Sequence, residues 1–347
     1  MNKVFGILRN EDDNSARRWV NACEAANVEY IVIDFTRADW FEKVNDPRID
    51  YFLVKPPGQI TKYKHLFDQR LYILSKVMKK PMYPSYEEII IHENKETLSY
   101  FLKAKGIPHP ATNLFYYKDE AINFVKNHDL PLVAKTSIGG SGSGVKVLRS
   151  VADAEKYITT AFGKGIKKRF GPNRVTGTPK KWFNKAISDI PAAIKKIKNY
   201  IAFYGDAQRG FVIFQDYIPH EYEWRSVMIN DSFFAHQKVK MGDKASGSKG
   251  IDYVNPPESI LDFTRNICIE NGFKSMAIDI FEDANGNYLV NEMQTIFGHV
   301  QDFILAVDGK PGRFVYSENE WVFEAGDFNE NESYNIRLKG ILEELEK

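Results

Sequence analysis

The stretch Ser275–Gly298, SMAIDIFEDANGNYLVNEMQTIFG, decides how the rest of the chain reads. Met276–Phe281 and Asn287–Met293 are apolar runs, and Asn285-Gly286 between them is a strong hairpin signal. With Asn285-Gly286 as a two-residue loop, Ala284 pairs with Asn287 and Asp279 falls opposite Glu292. Opposed residues share a face, with Cβ atoms about 5 Å apart. Gln294, two positions beyond Glu292, shares that face as well. Two carboxylates and an amide oxygen thus converge on an otherwise apolar hairpin. Like charges that close are unfavourable unless something positive lies between them. Oxygen-only ligands suit a hard cation, and Mg2+ commonly takes one or two carboxylates together with substrate phosphates. The hairpin alone leaves two readings open, a Mg2+–nucleotide site and a solvated polar face.

Bulk properties narrow the classes. At 347 residues the chain can hold two or three subdomains with sizeable cores. Hydrophobic residues make up 43% and charged residues 27%, and the net charge of +1 gives no global field that favours nucleic acid or a membrane surface. Cys23 and Cys268, the two cysteines, sit in apolar helical patterns and suggest neither a disulfide framework nor a zinc site, which fits a reducing compartment. The N-terminal MNKVFGILRNEDD does not read as a signal peptide, and no apolar run approaches the roughly 20 residues of a membrane span. The expectation is a cytoplasmic protein.

Outward from the hairpin, the first segment reads strand–helix–strand. Val4–Leu8, Tyr30–Phe35 and Tyr51–Val54 are strands, and Ala16, Trp19, Val20, Cys23 and Ala26 mark a helix capped by Asn14 or Ser15. That is the pattern of an open parallel sheet, whose ligands gather at the carboxyl ends of its strands. Arg9, Asn10 and Lys55 lie there as candidate substrate contacts. Lys64–Lys79, Glu93–Lys105, Asp119–Asn127, Leu261–Asn271 and Tyr334–Glu346 read as helices, and Phe115–Tyr117 as a short strand. Ser150 with Asp153 begins another helix, through Thr160. Phe211–Tyr217 and Ser226–Ile229 read as strands of a second sheet. Residues 161–200 hold eleven Lys or Arg and one acid, Asp189, an inserted basic segment that is either a solvated face or an embrace for an acidic co-substrate.

Between the strands Leu132–Lys135 and Val145–Leu148, four of the six residues from Gly139 to Gly144 are glycine. The loop joins strand to strand, so it is neither a dinucleotide fingerprint nor a P-loop. Backbone without side chains can still close over phosphates, with N–H groups forming an anion nest. The same flexibility suits a moving lid or a ligand-free hairpin tip. Lys135 ends an otherwise apolar strand and needs a partner there, for which a phosphate is suited.

With Lys135, the glycine loop and Asp279/Glu292, the chain resembles the ATP-grasp superfamily, in particular its carboxylate–amine ligase branch with glutathione synthetase, D-alanine–D-alanine ligase and ribosomal-protein glutamate ligase. The correspondence runs in order from about Asn94 to Gly298. NKETLSYFLKAKGIPHPAT resembles the entry helix, with Lys95 on a phosphate. PLVAKTSIGGSGSGVKVL resembles the strand–lid–strand, with Lys135 as second nucleotide lysine and Ile138, Gly139, Gly140, Ser141 and Gly142 over the phosphates. VIFQDYIPH resembles the hinge, where the backbone of Gln215, Asp216, Tyr217 and Ile218 holds adenine. In EYEWRSVMIND the resemblance implies a ribose-binding acid, Glu221 or Glu223, and a catalytic Arg225. The metal hairpin supplies Asp279, Glu292 and Gln294 for one or two Mg2+, or Mn2+. Gln215 stands where the family often has Glu, and Gln294 where it usually has Asn.

The resemblance implies an ATP-grasp fold: an N-terminal open parallel α/β domain at 1–85 and two α+β subdomains, 86–208 and 209–347, that clasp the nucleotide. It implies transfer of the γ-phosphoryl of ATP to a carboxylate, then displacement of phosphate by an amine, with Lys238 and Lys240 near the second substrate or the γ-phosphate. Alternatives are a kinase on the same scaffold and a non-catalytic nucleotide-binding protein. Homodimers are common in the family. His220-Glu221 begins like a zinc motif, but Trp224 stands where the second His belongs, and no G-x-S-x-G occurs.

Overall fold

A computed structural model describes residues 3–140, 142–168, 205–241, 244–245, 250–299 and 301–346. Ser141, residues 169–200 of the basic segment and most of the polar loop at 243–250 lie outside the described residues. The chain forms two compact units: Met1–Pro57, Tyr63–Pro110 and Ile218–Lys347 in one, Gly58–Lys62 and Ala111–Tyr217 in the other. Among the described residues no helix is long and apolar enough to cross a membrane.

The larger unit begins with the expected parallel sheet, its strands in the order Glu29–Asp34, Val4–Arg9, Tyr51–Val54 and Met82–Tyr83. Helix Arg17–Ala25 buries Trp19, Ala22 and Cys23 against it. The expected cap is absent. The helix starts after Ala16, and the Ser15 hydroxyl instead accepts from the Asn10 amide at 3.0 Å, holding the loop that leaves the first strand. The terminal helix Tyr334–Glu346 packs on the same face, with Tyr334, Leu338 and Ile341 joining Phe5, Ile7, Trp19 and Tyr83 in one core. Trp19 and Tyr334 meet edge to face at 4.7 Å between centroids, an arrangement worth about 0.5–1.5 kcal/mol beyond area burial.

The same unit holds an antiparallel sheet through Tyr288–Gln294, Ser275–Glu282, Tyr222–Ile229, Ser232–Met241 and Lys310–Ser317. Helices Lys95–Lys105 and Glu258–Glu270 cover one face, where Leu98, Leu102, Ile260 and Ile267 bury Trp224, Met228, Met276, Ile278, Ile280, Val290 and Met293. Sequence reasoning left Lys310–Ser317 and Glu320–Ala325 unassigned. Their turn is Glu318-Asn319, both residues left-handed at φ 52° and 68°, without the glycine that usually announces such a loop.

The smaller unit is an antiparallel sheet in the order Thr112–Phe115, Val212–Asp216, Leu132–Lys135, Val145–Leu148. Helices Lys118–Asn127 and Val151–Ala161 bury Ala121, Val125, Ala154 and Ile158 against Leu132, Ala134, Val212 and Phe214. The expectation that Phe211–Tyr217 and Ser226–Ile229 share a sheet is corrected: Val212–Asp216 belongs here, and Tyr222–Ile229 to the large antiparallel sheet. The Pro-containing stretch after Tyr217 separates them.

Candidate functional site

The hairpin reaches the expected pairing by another route. Its turn is longer than two residues: the Asp283 amide donates to the Asn287 carbonyl, and the Asp283 carboxylate accepts from the amides of Asn285 and Asn287. The ladder therefore starts at Glu282–Tyr288, one residue out of the expected register. A bulge at Asn291 restores it, and Asp279 lies opposite Glu292. The bulge also explains the faces. Val290 and Met293, three apart, both enter the core, while Glu292 and Gln294 join Asp279 on the other side.

On that side four strands contribute a row in continuous register: His236 opposite Arg225, Arg225 opposite Asp279, Asp279 opposite Glu292. Arg225 grips Asp279 in a fork, Nε to Oδ1 at 2.8 Å and Nη2 to Oδ2 at 3.0 Å. Lys238, opposite Glu223 in the next row, donates to Asp279 Oδ2 at 2.6 Å and to Glu223 Oε2 at 2.9 Å. Burial alone would raise the Asp279 carboxyl, but Arg225 and then Lys238 outweigh it and hold the group well below the usual carboxylate range. His236, only 1% exposed, bonds through Nδ1 to the Ile304 carbonyl at 2.9 Å, and burial, with His299 and Arg225 beside it, lowers its pKa to about 3.

Lys95 is the first residue of its helix, where the helix dipole disfavours a cation. It donates to Glu292 Oε1 at 2.6 Å and to Glu93 Oε2 at 3.2 Å. Burial would lower its pKa, but Glu292 and Glu93 raise it above the ordinary lysine value. Glu93 also accepts from Gln294 Nε2 at 2.9 Å. The positive charge that two neighbouring carboxylates require thus comes from Arg225, Lys238 and Lys95. Among the described residues no group of three or more His, Cys, Asp or Glu is gathered as a metal ion alone would need.

The remaining candidates separate. Glu223 is buried within this charged cluster, whereas Glu221 is exposed and its carbonyl accepts from the Lys240 amide at 2.8 Å. Ile218 opens the last segment of the larger unit, and its carbonyl contacts His220 Nδ1 at 2.7 Å. Lys55 donates to the Ile296 carbonyl at 3.2 Å, and Asn10 Nδ2 to the Lys55 carbonyl at 3.1 Å. Arg9 is ion-paired with Asp13 and Asp34. Sequence reasoning missed Glu93 and His236. An acid two residues before the entry-helix lysine, outside any apolar period, was the available signal for Glu93.

In the smaller unit Lys135 is 7% exposed, paired across its strand with Ile213 and Val145. The glycine loop is packed rather than splayed. Ile138, Gly139 and Gly140 are buried, the Thr136 amide donates to the Gly144 carbonyl at 3.0 Å, and the Ser143 amide to the Gly140 carbonyl at 3.2 Å. A Cβ on Gly144 would fall 1.7 Å from Thr136 Oγ1, and Gly142 is left-handed at φ 63°. Gln215 is buried, with Nε2 donating to Thr112 Oγ1 at 3.2 Å, and Asp216 Oδ1 meets His128 Nε2 at 2.9 Å. Tyr217 ends the unit.

No protein-family model matches the chain. One curated relative, the biotin-dependent acyl-coenzyme A carboxylase alpha3 subunit of Mycobacterium leprae, is 36% identical over 67 residues, which is 17% of this chain and only 10% of that one. Solved structures match over most of the length. N5-carboxyaminoimidazole ribonucleotide synthetase in its ADP complex superposes with a TM-score of 0.56 at 14% identity, covering 87% of this chain and 72% of that one. D-alanine–D-alanine ligase from Bacillus anthracis gives 0.51 at 14% identity, covering 85% and 87%. A RimK-domain ATP-grasp protein from Sphaerobacter thermophilus gives 0.51 at 13% identity, covering 84% and 90%. Likeness at such identities concerns architecture, and the architecture is shared over most of the chain: the chain has the ATP-grasp fold.

Proposed function

We propose that the protein is an ATP-dependent ligase that activates a carboxylate as an acylphosphate and passes the acyl group to an amine, releasing ADP and phosphate. The reading rests on one observation above the others, the charged row set on an ATP-grasp frame: Arg225, Asp279 and Glu292 in consecutive register, with Lys238 and Lys95 bonded to the two carboxylates. Phosphoryl transfer needs positioning and charge neutralisation more than covalent help from the protein. In this reading Lys95 and Lys135 take up phosphate charge, and Arg225 can present its fork to a phosphate or a developing oxyanion. The loop at 138–144 keeps water from the acylphosphate. The backbone of 215–218 holds adenine. Glu223 is committed to Lys238, so the exposed Glu221 is assigned to the ribose hydroxyls.

A hard divalent ion fits the donor set, which is two carboxylates and an amide oxygen. Asp279, Glu292 and Gln294 would hold it, and it would neutralise the β and γ oxygens of the nucleotide. Lys95 and Lys238 occupy oxygens of the same carboxylates, so each must share its acceptor or turn to the phosphates when ATP enters.

The experiment is a panel of carboxylic acids and amines, amino acids included, read by ADP and phosphate release. A ligase releases both only when acid and amine are present together. A stable phosphorylated product formed without an amine would make the protein a kinase, and ATP binding without turnover a nucleotide-binding protein. Glu292→Ala is expected to abolish turnover in a folded protein, and wild-type rates in that variant refute the metal role. Lys135→Ala is expected to weaken ATP binding at least tenfold by calorimetry, as loss of one charge-assisted contact of about 1.5–3 kcal/mol requires. Unchanged affinity removes Lys135 from the site.

A further inference from the structure

We propose that Glu93 is a positioning residue that turns the Gln294 side chain so that its carbonyl oxygen, and not its amino group, faces the divalent cation. The proposal rests on the metal reading above and concerns a residue that lies outside the hairpin.

The geometry is specific. Glu93 spans two groups of the site: Oε1 accepts from Gln294 Nε2 at 2.9 Å, and Oε2 accepts from Lys95 Nζ at 3.2 Å. An ammonium only donates and a carboxylate only accepts, so Glu93 is held as an acceptor at both ends. The face of an amide that meets it must then be the NH2. An amide's two ends look alike by shape, but here the neighbour's chemistry assigns them. Gln294 Oε1 is then the end left for the face that Gln294 shares with Asp279 and Glu292.

Two further features single Glu93 out. It is 8% exposed, so its oxygens are satisfied by these partners rather than by water. Its backbone is left-handed at φ 52°, which a residue with a side chain seldom adopts, directly before the Asn94 cap of the entry helix. Strain of that kind persists where surrounding structure over-determines it. Here it sets the Glu93 carboxylate beside both Lys95 and the last residue of the hairpin strand. A free glutamine, one methylene longer than asparagine, could offer either end of its amide to a cation; Glu93 removes that choice.

The test is Mn2+ binding in the presence of a non-hydrolysable ATP analogue, followed by electron paramagnetic resonance of free Mn2+, with thermal unfolding as a fold control. In Glu93→Gln the partner can donate or accept, the amide is free to turn, and affinity for Mn2+ is expected to fall 10- to 100-fold, the usual loss when an outer partner of a ligand is changed. The Glu93→Gln/Gln294→Glu double variant places an acceptor-only group at 294, still hydrogen-bonded to the amide now at 93, and is expected to return to within about threefold of wild type, the lost factor being recovered. Gln294→Leu is expected to bind as weakly as Glu93→Gln, with no further loss when the two are combined. Wild-type affinity in Glu93→Gln overturns the positioning role alone, as does a double variant as weak as the single. A wild-type protein that binds no Mn2+ with the nucleotide analogue overturns the metal reading and this proposal with it.

Discussion

Asp279 accepts three hydrogen bonds from two cations while only 3% exposed. Removing one partner of such a buried group leaves charges that no solvent reaches, which typically costs about 3–5 kcal/mol. Asp279→Ala is therefore expected to lose about that much stability, because Arg225 forfeits its fork and Lys238, among the described residues, is left with Glu223. Glu292 is a milder case. Its side chain is 20% exposed, and Lys95 retains Glu93 when it is gone, so Glu292→Ala is expected to cost about 1.5–3 kcal/mol. Urea unfolding of both variants checks the order, and a greater loss in Glu292→Ala contradicts the account. At this scale the sequence was legible where a period of two carries the information. Asp279, Glu292 and Gln294 follow from alternation along a hairpin. Glu93 does not, since it lies in a left-handed junction that belongs to no period, and Gln294, which it meets along with the nearby Lys95, is 201 residues away.

The hairpin as an element holds its register through two offsetting departures from regularity. Asp283 closes a longer turn, which displaces the ladder by one residue, and the bulge at Asn291 takes up that residue before the charged row. The simple two-residue loop gives the same Asp279–Glu292 pairing because the two departures cancel at that point. The bulge had a trace in the sequence, since Val290 and Met293 are both apolar yet three apart, which strict alternation forbids. Deleting Asn291 is expected to straighten the ladder while leaving Val290 opposite Ile280 and the glutamate opposite Asp279. The deletion variant should melt cooperatively and bind Mn2+ with the nucleotide analogue at wild-type strength. Loss of binding in a folded variant would show that the bulge itself aims Glu292, beyond setting its face. The glycine loop is the contrary case at this scale. Its composition suggests a mobile flap, yet Thr136 and Gly144 are so close that no side chain fits at 144, a packing constraint that glycine content alone does not reveal.

Across the larger unit, charge withdrawn in part from solvent makes stability depend on pH, and Lys55 gives the clearest case. It follows directly on the third strand of the parallel sheet and donates to the Ile296 carbonyl just beyond the hairpin. Burial, then the nearby charges of Arg337 and Arg18, lower its pKa to about 7, with Glu93 opposing them. An unfolded lysine titrates near 10.4. Between about pH 7 and pH 10 the unfolded chain therefore binds a proton that the folded chain does not, and stability rises with pH across that window. Below pH 7 both states are protonated and the penalty is at its full size. Lys55→Met removes the penalty, so the variant is expected to gain most at pH 6, exceeding its gain at pH 9 by up to about 2–3 kcal/mol at 1.36 kcal/mol per pH unit. Urea unfolding of both proteins at the two pH values measures the difference, and an equal gain at each shows that Lys55 titrates as an ordinary surface lysine. A neutral amine at pH 8 is also a nucleophile, so an amine-reactive label followed by peptide mass spectrometry should find Lys55 modified ahead of the exposed lysines wherever reagent reaches it. The sequence placed Lys55 at the carboxyl end of a parallel strand, as topology alone dictates. Its lowered pKa comes first from burial and then from Arg337 and Arg18, residues from the last and first helices of the chain, and only the folded unit brings those three cations together.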